Sequence, residues 1–162
     1  MSRAFVKEDG PDNTPLPDLP ISPHPNYVTP RGLQQLQAAL AATQERLAAL
    51  RARDDRLDRL PEAAAERDIR YLEARLKSAI AVVASGPCDL VGFGHRVDVV
   101  DAEGAGTSYT IVGEDEADAS QGLIAPQSPL ARALIGAGVG DVVTWRRPVG
   151  AVELEITRID WP

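Results

Sequence analysis

The sequence is poor in the residues that most often build active sites and metal centres. Of its 162 residues, one is cysteine, two are histidine, and aromatic residues make up 4%. A lone cysteine, Cys88, forms no internal disulfide, which favours a reducing compartment. His24 and His95 do not pair with Cys88 at any usual metal-ligand spacing, and no Ser/His/Asp set is suggested. The sequence therefore argues against a metal site or a catalytic centre of its own.

Long hydrophobic runs are also missing. No segment approaches the run of about 18 apolar residues that a membrane span needs. Residues 1–13 contain no apolar stretch long enough for a signal peptide. We therefore expect a soluble, cytoplasmic protein.

Positive charge is scarce in the C-terminal half. The net charge of the chain is −7, and residues 87–162, with 12 acidic and 5 basic side chains, carry a charge of −7 by themselves. Such a module repels phosphates and gains nothing from counterion release, so we expect no strong direct binding of nucleic acid. A basic protein surface is a better partner. Acidity that only keeps the chain soluble explains the same composition.

Prolines are concentrated at the N-terminus, where residues 1–26 hold six of the 13 in the chain. Proline fixes φ and has no amide hydrogen, so this composition predicts an extended, largely disordered arm. The arm is either an idle tail or a segment that folds against a partner.

Leucines with heptad spacing follow the arm. Thr29 and Pro30 predict a helix start, with a hydroxyl at the N-cap and proline at the first helical position. Steps of three and four residues separate the apolar positions of a first seam at Leu33, Leu36, Leu40, Leu47, Leu50 and Leu57, with Thr43 and Asp54 in its open slots. A second seam comprises Ala65, Ile69, Leu72, Leu76, Ala79 and Val83. Because Pro61 interrupts the pattern, we predict helices over 30–58 and 61–84, about 44 Å and 36 Å long, paired as an antiparallel coiled-coil hairpin.

Beyond a linker at 85–92, the hydrophobic period changes to two. Segments that alternate or are rich in β-branched residues lie at 95–101, 107–113, 141–147 and 151–159, and Gly122-Leu123-Ile124 adds a short strand. Ser128 and Pro129 predict the start of a short helix that Gly136 ends. The predicted fold is therefore α+β: the hairpin over 27–84, then a small antiparallel sheet with one short helix over 93–162.

An acidic run, Gly113–Asp118, follows one of the predicted strands. It lacks the alternating oxygen ligands of an EF-hand calcium loop. We interpret it as a solvated turn or as a loop that contacts another protein.

Three groups of residues resemble the Gre (GreA/GreB) family of bacterial transcription elongation factors. They are NYVTPRGL at 26–33, YLEARL at 71–76, and YTIVGEDEAD at 109–118 followed by SPLARALIG at 128–136 and GDVV at 140–143. The resemblance covers most of residues 27–162. It implies a C-terminal domain of FKBP-like fold that binds the rim of the RNA polymerase secondary channel, and a coiled coil that enters the channel. By motif, Asp118, Ser128 and Pro129 would lie at the polymerase contact.

The resemblance also implies acidic residues at the coiled-coil tip, which help the Mg²⁺ of the polymerase to hydrolyse backtracked RNA. The family's tip motif, Asp-Leu-x-Glu-Asn-Ala-Glu-Tyr, is absent here. Asp54, Asp55, Asp58 and Glu62 are the candidate tip residues instead, interleaved with Arg51, Arg53, Arg56 and Arg59. The hairpin is about fifteen residues shorter than in the family, which shortens it by about 10 Å.

These departures favour a regulator that binds the polymerase without efficient cleavage activity and without a cofactor of its own. A misplacement of about 1 Å already costs a catalytic group about a hundredfold in rate, so 10 Å is disabling. The alternative is an active cleavage factor that uses Asp54, Asp55 or Asp58.

Two further readings remain open. A prolyl isomerase would need several aromatic side chains in one pocket, and residues 93–162 offer only Phe93, Tyr109, Trp145 and Trp161. A structural protein could dimerise through its heptads. Because the two seams are complementary within one chain, we expect a monomer.

Overall fold

The computed structural model describes residues 14–55 and 57–162. A helical hairpin, α1 (Pro30–Arg51) and α2 (Leu60–Ser78), precedes a five-stranded sheet with a short helix, α3 (Pro129–Leu134). Two short parallel strands, β1 (Tyr27–Val28) and β2 (Ile80–Ala81), pair at the base of the hairpin. The predicted α+β class and the order of hairpin and sheet are confirmed.

The hairpin forms as the heptad spacing predicts. The Thr29 hydroxyl accepts a hydrogen bond from the Gly32 amide at 2.9 Å, which caps α1, and Pro30 begins the helix. Leu36, Leu47 and Ala65 are buried where α1 and α2 pack together. Ion pairs between the helices, Arg46–Asp68 at 3.1 Å and Arg51–Glu66 at 2.7 Å, lie on exposed surface. Such pairs contribute little stability, so the apolar seam holds the hairpin.

At the tip, α1 is shorter than predicted, whereas α2 begins at Leu60, one residue before its predicted start. α1 ends at Arg51 rather than at residue 58, and its 22 residues span about 33 Å. In the connecting loop, the carboxylates of Asp55 and Asp58 accept hydrogen bonds from the amides of Leu57 and Leu60, each at 3.0 Å. Such local bonds compete with helical ones and end the helix early. Leu57, a predicted seam position, is therefore 90% exposed.

The base of the hairpin also differs from the prediction, because α2 ends at Ser78 rather than at residue 84. The Asn26 side-chain amide donates to the carbonyl of Arg75 at 2.8 Å and to the Ser78 hydroxyl at 3.2 Å. The chain then pairs with β1 through the amide of Ile80, which donates to the Asn26 carbonyl at 2.8 Å. Val83, a predicted seam position, lies after β2 and is exposed.

The C-terminal sheet has the strand order β5-β4-β3-β7-β6. Its strands are β3 (Arg96–Val100), β4 (Gly106–Ile111), β5 (Leu123–Ile124), β6 (Val142–Arg147) and β7 (Gly150–Asp160). The sheet is mostly antiparallel, as predicted, and the pair of β4 with the short β5 is parallel. A 3-10 turn at Ala119–Gln121 and the left-handed Gly122 (φ 71°) reverse the connection, which brings β5 in parallel to β4.

One face of this sheet forms the core. Val97, Ile111, Leu134 and Ile156 are completely buried, and α3 packs against β6 on that side. The opposite face carries mainly exposed polar residues, among them Arg96, Ser108, Thr144 and Glu155.

The arm differs from its prediction over residues 14–26. The Arg70 guanidinium on α2 donates to the Asp18 carboxylate at 2.5 Å and to the Leu16 carbonyl at 2.8 Å. The Ser22 hydroxyl donates to Glu114 at 2.9 Å. This stretch is irregular but held by hydrogen bonds, because its extended backbone leaves carbonyls free for α2. The predicted disorder of residues 1–13 falls outside the described residues.

Candidate functional site

The acidic loop after β4 contacts the base of the hairpin. We call this contact the joint. On the hairpin side it comprises Asn26, Tyr27, Thr29, Arg31, Gly32, Tyr71 and Arg75, and on the domain side Gly113, Glu114, Asp115 and Glu116. The sequence predicts a solvated turn or a loop that contacts another protein. The structure shows the loop packed against the hairpin of its own chain, and contact with another protein stays a prediction.

A buried arginine forms one half of the joint. Arg75 is 1% exposed, and its Nε lies 2.6 Å from Asp115 Oδ2. Its Nη2 lies 3.5 Å from Glu114 Oε2 but has no hydrogen-bond partner in the described part of the chain. The Tyr71 hydroxyl donates to Asp115 Oδ1 at 2.6 Å. Burial, together with this hydrogen bond to a carboxylate, raises the pKa of Tyr71 to about 12.

A buried carboxylate forms the other half. Glu116 lies at the start of α1, where the Thr29 hydroxyl donates to its Oε2 at 2.5 Å and Arg31 Nε lies 4.0 Å from its Oε1. The N-terminal end of a helix carries a partial positive charge, and the first turn of α1 contains no acidic residue of its own. The domain therefore supplies the anion that the helix end favours, which couples α1 to the sheet.

Glycines allow the two sides to approach closely. A Cβ atom at Gly32 would lie 2.6 Å from Glu116 Oε2, and a Cβ at Gly113 would lie 2.6 Å from the Tyr27 carbonyl oxygen. Real Cβ contacts are essentially never this short. At Gly113 the obstacle is backbone, whereas at Gly32 it is the end of the Glu116 side chain, which a Cβ atom would displace.

Three of the recognised motifs meet at the joint. The first contributes Thr29 and Gly32, the second contributes Tyr71 and Arg75, and the third contributes the acidic loop. Sequence reasoning found these motifs separately and missed that they converge. Two features of the sequence could have indicated the contact. The first turn of the predicted helix α1 contains no acidic residue, and the acidic run has no basic residues beside it.

The residues expected at the polymerase contact lie outside the joint and form local caps. Asp118 accepts hydrogen bonds from the Ser120 amide at 3.0 Å and hydroxyl at 2.6 Å, and these bonds lower the pKa of Asp118. Ser128 caps α3 by accepting from the Ala131 amide at 3.2 Å, and Pro129 is its exposed first residue. Their role in binding a partner stays a prediction.

The structure divides the candidate tip residues. Asp54, Asp55 and Asp58 are exposed in the loop between α1 and α2, whereas Glu62 is buried in the first turn of α2, 4.0 Å from Arg59. Glu62 thus differs from the other three candidates in being buried, and a role of all four at the tip stays a prediction. The predicted tip arginine at position 56 lies outside the described residues.

A cleft of about 420 Å³ lies beside the joint, lined among others by Pro30, Val83, Val112 and Trp161. The other three C-terminal aromatic side chains (Phe93, Tyr109 and Trp145) pack against the core instead. The four aromatic residues considered for an isomerase pocket thus do not line one cavity.

His95, considered above as a possible metal ligand, is buried in the C-terminal domain. Its Nδ1 accepts from the Gly92 amide at 3.0 Å, and its ring meets Trp161 edge-on at 4.4 Å. Burial lowers the pKa of His95. Within residues 14–55 and 57–162, no three His, Cys, Asp or Glu side chains are grouped to hold a metal ion. No described helix is long and apolar enough to cross a membrane.

Comparisons with known proteins agree with the motifs. The family model "Transcription elongation factor, GreA/GreB, C-term" matches residues 86–160. GreA of Alkalilimnicola ehrlichii is 46% identical over 97 residues, which are 56% of this chain and 60% of that protein. In alignments with this and other GreA proteins, the chain spans about 60% of the relative's length.

GreA factor homolog 1 of Thermus thermophilus, a solved structure, is 25% identical with a TM-score of 0.42, covering 85% of this chain and 99% of that one. GreA of Jannaschia sp. strain CCS1 is 35% identical over 150 residues, covering 83% of this chain and 96% of that protein. With a relative this similar over nearly its whole length, the chain belongs to the Gre family of transcription elongation factors.

Proposed function

We propose that this chain binds RNA polymerase at the rim of its secondary channel and places its hairpin in that channel, without efficiently stimulating transcript cleavage. It modulates elongation or pausing, or competes with genuine cleavage factors. It acts as a cytoplasmic monomer beside the Mg²⁺ of the polymerase and needs no cofactor of its own. The observation that carries the proposal is a hairpin held to the domain at both of its helices, with Asp55 and Asp58 at its tip already accepting hydrogen bonds from backbone amides.

The contacts of the joint support the part of the proposal that concerns the position of the hairpin. α1 is held at its first turn by Glu116, and α2 is held near its last turn by Asp115 through Arg75. Because both helices are fixed at the same end, the hairpin cannot tilt without breaking buried polar contacts. Arg75 is buried while its partner Asp115 is partly exposed, and separating them would leave the buried charge without its partner. The hairpin therefore behaves as a rigid extension of the domain.

The environment of the carboxylates at the tip supports the proposal that the chain does not stimulate cleavage efficiently. Asp55 and Asp58 already accept backbone hydrogen bonds, and Glu62 is buried. A carboxylate must be oriented within about 1 Å to assist a metal-bound water, and the short hairpin leaves it about 10 Å away if the domain docks as in the family. A finger of this kind occupies a channel without contributing to the chemistry.

The alternative function is that of an active cleavage factor. One observation favours it: Asp54, Asp55 and Asp58 are all exposed at the end of the hairpin farthest from the domain. If the domain docked deeper than in the family, these carboxylates would hold a second metal ion or orient the attacking water.

The test uses backtracked elongation complexes assembled from purified polymerase. Transcript cleavage is measured with the full chain alone, and then with the chain in excess over a genuine cleavage factor. Two variants accompany the wild type. D54N/D55N/D58N removes the tip carboxylates, and D101N/E103Q removes two carboxylates from the β3–β4 turn as a matched control.

We expect no cleavage by the protein alone and suppression of the genuine factor, equally with the wild type and both variants. Cleavage that only D54N/D55N/D58N abolishes would establish the alternative. Neither cleavage nor suppression by the wild type would refute docking in the channel.

A further inference from the structure

The N-terminal arm has a periodic structure that lies outside the motifs shared with the Gre family. Those motifs begin at Asn26, so residues 14–25 precede them, and we call this segment the strap. Burial along the strap repeats every three residues: Leu16, Leu19 and Ser22 are half-buried, and the residues on either side of each are exposed. A period of three is that of a polyproline II helix, which has three residues per turn and rises about 3.1 Å per residue.

Prolines at the same interval favour this conformation. Pro17, Pro20 and Pro23 are three residues apart and all exposed. Because proline restricts φ before the chain folds, the strap loses less conformational entropy when it packs. A polyproline II helix makes no internal backbone hydrogen bonds, so the carbonyls of the strap are free to accept from a neighbouring element. The strap is therefore a stiff segment with one side against the rest of the molecule.

The strap is attached to the hairpin at one point and to the C-terminal domain at another. The Arg70 guanidinium on α2 holds the Asp18 carboxylate and the Leu16 carbonyl, as described above. The Ser22 hydroxyl donates to Glu114 of the acidic loop. Since Glu114 belongs to the joint, the strap links the middle of α2 to the joint through a segment that the family motifs do not include.

The strap holds α2 on a different side from the joint. Tyr71 and Arg75 are four residues apart, so they lie on the same side of α2, where both contact Asp115. Arg70 directly precedes Tyr71 and therefore points about 100° away around the helix axis. Contacts on one side leave a helix free to tilt about that side, whereas contacts on two sides restrain it. The strap thus restrains a tilt that the joint by itself permits.

We infer that the strap fixes the orientation of the hairpin relative to the C-terminal domain. The inference deepens the proposed function and, where it concerns the channel, rests on it. A finger without cleavage chemistry acts only by occupying the channel, so its alignment determines how well it competes with other factors. The contacts of the strap are exposed or half-buried and individually weak, so its effect depends on both attachment points together.

The first test measures the orientation of the hairpin in the free protein. Spin labels are attached to A49C, which is exposed near the tip end of α1, and to A151C, which is exposed on β7. The substitution C88S removes the native cysteine beforehand. Pulsed electron paramagnetic resonance then gives the distribution of distances between the two labels.

Two double variants are compared with the wild type in this labelled background. R70Q/S22A removes both attachment points of the strap. R96Q/S108A is the matched control, because Arg96 donates to the Ser108 hydroxyl at 3.1 Å on the exposed face of the sheet, outside the joint. Thermal unfolding verifies that each variant folds, as expected for side chains that are not fully buried.

We expect a narrow distribution for the wild type and for R96Q/S108A, and a distribution broader by at least about 3 Å for R70Q/S22A. The size follows from the 22 residues of α1, since a tilt of about 5° moves the end of such a helix by about 3 Å. R70K/S22T keeps a cation and a hydroxyl and should stay close to the wild type. Equal widths for R70Q/S22A and the wild type, or equal broadening by R96Q/S108A, would overturn the inference and leave the proposed function standing.

The second test repeats the suppression of a genuine cleavage factor with the same variants, unlabelled, in backtracked elongation complexes. We expect R70Q/S22A to require at least about threefold more protein for equal suppression, because only the aligned fraction of the molecules competes. Equal suppression despite a broadened distribution would refute a role of the strap in the channel. If the wild type does not suppress, the proposed function fails, while the distance measurement still decides whether the strap fixes the hairpin.

Discussion

The contact between Gly32 and Glu116 predicts that one substitution changes stability in opposite directions in two backgrounds. In an unhindered helix, replacing glycine by alanine stabilises the protein by about 0.5–1 kcal/mol, because alanine loses less backbone entropy. At Gly32 the new Cβ would lie 2.6 Å from Glu116 Oε2, so the carboxylate has to move.

The size of the effect follows from what the carboxylate loses. Glu116 is buried and accepts the Thr29 hydroxyl, and a hydrogen bond to a charged group contributes about 1.5–3 kcal/mol. Subtracting the gain in helix propensity, we expect Gly32→Ala to destabilise the protein by about 1–2 kcal/mol. In the Glu116→Ala background the obstacle is gone, and the same substitution should stabilise by about 0.5–1 kcal/mol.

Urea unfolding of the four proteins, followed by far-ultraviolet circular dichroism, gives the coupling energy, which we expect to be about 2 kcal/mol. A second cycle, between Gly32→Ala and Glu155→Ala, serves as the control, because Glu155 is exposed on β7 and should not couple. Stabilisation by Gly32→Ala in the wild-type background would show that Glu116 does not lie against the start of α1, and the proposed rigidity of the joint would fail with it.

Three further predictions concern other buried groups. Gly113→Ala should lower the free energy of unfolding in urea by about 3 kcal/mol, because its Cβ would meet the backbone oxygen of Tyr27. Gly106→Ala, whose Cβ would lie 3.9 Å from the nearest atom, should change it little. Equal effects of the two substitutions would contradict the close approach at Gly113. Tyr71→Phe should remove from an ultraviolet titration the phenol with a pKa of about 12 and cost about 1–2 kcal/mol, and survival of that step would assign it to another tyrosine. Because burial lowers the pKa of His95, the unfolded state binds its proton more readily, so stability should fall as the pH drops below about 6.5. His95→Gln should flatten this pH dependence, and an unchanged slope would point to other groups.

Local patterns predicted the elements well where the chain itself decides the structure. Thr29 and Ser128, each followed by proline, mark the starts of α1 and α3, because a capping hydroxyl acts on amides two or three residues away. The four longer strands lie where β-branched residues alternate, and Leu123–Ile124 forms the predicted short strand. In each case the interactions that decide the structure are close in sequence.

The helix ends at the tip were harder to predict, because two local preferences compete there. The heptad pattern continues to Leu57, but Asp55 and Asp58 offer their carboxylates to nearby amides. The heptad spacing of leucines contains no information about this competition between side-chain and helical hydrogen bonds. The burial of Glu62 was not predicted, because the heptad pattern assigns the residues around it to the connection between the two helices.

The joint depends on contacts between residues far apart in the chain. Glu116 and Thr29 are separated by 87 positions, and Arg75 and Asp115 by 40. The sequence shows an acidic loop and a helix start, but only the fold decides which loop meets which helix end. The motifs are therefore visible in the sequence, whereas the contacts that bring their residues together depend on the fold.

In the proposed function, the joint positions the hairpin and the tip determines whether transcript cleavage is stimulated. A hairpin about 33 Å long converts a tilt of about 5° at its base into a displacement of about 3 Å at its end. A displacement of that size is more than a catalytic carboxylate tolerates, so a cleavage factor needs a rigid joint. A finger that only occupies a channel needs the same rigidity for a different reason, because a loosely held hairpin would not stay aligned with the channel after the domain docks. Under the proposed function and under its alternative alike, Arg75 and Glu116 would hold the hairpin in place, and the residues at the tip would decide between the two.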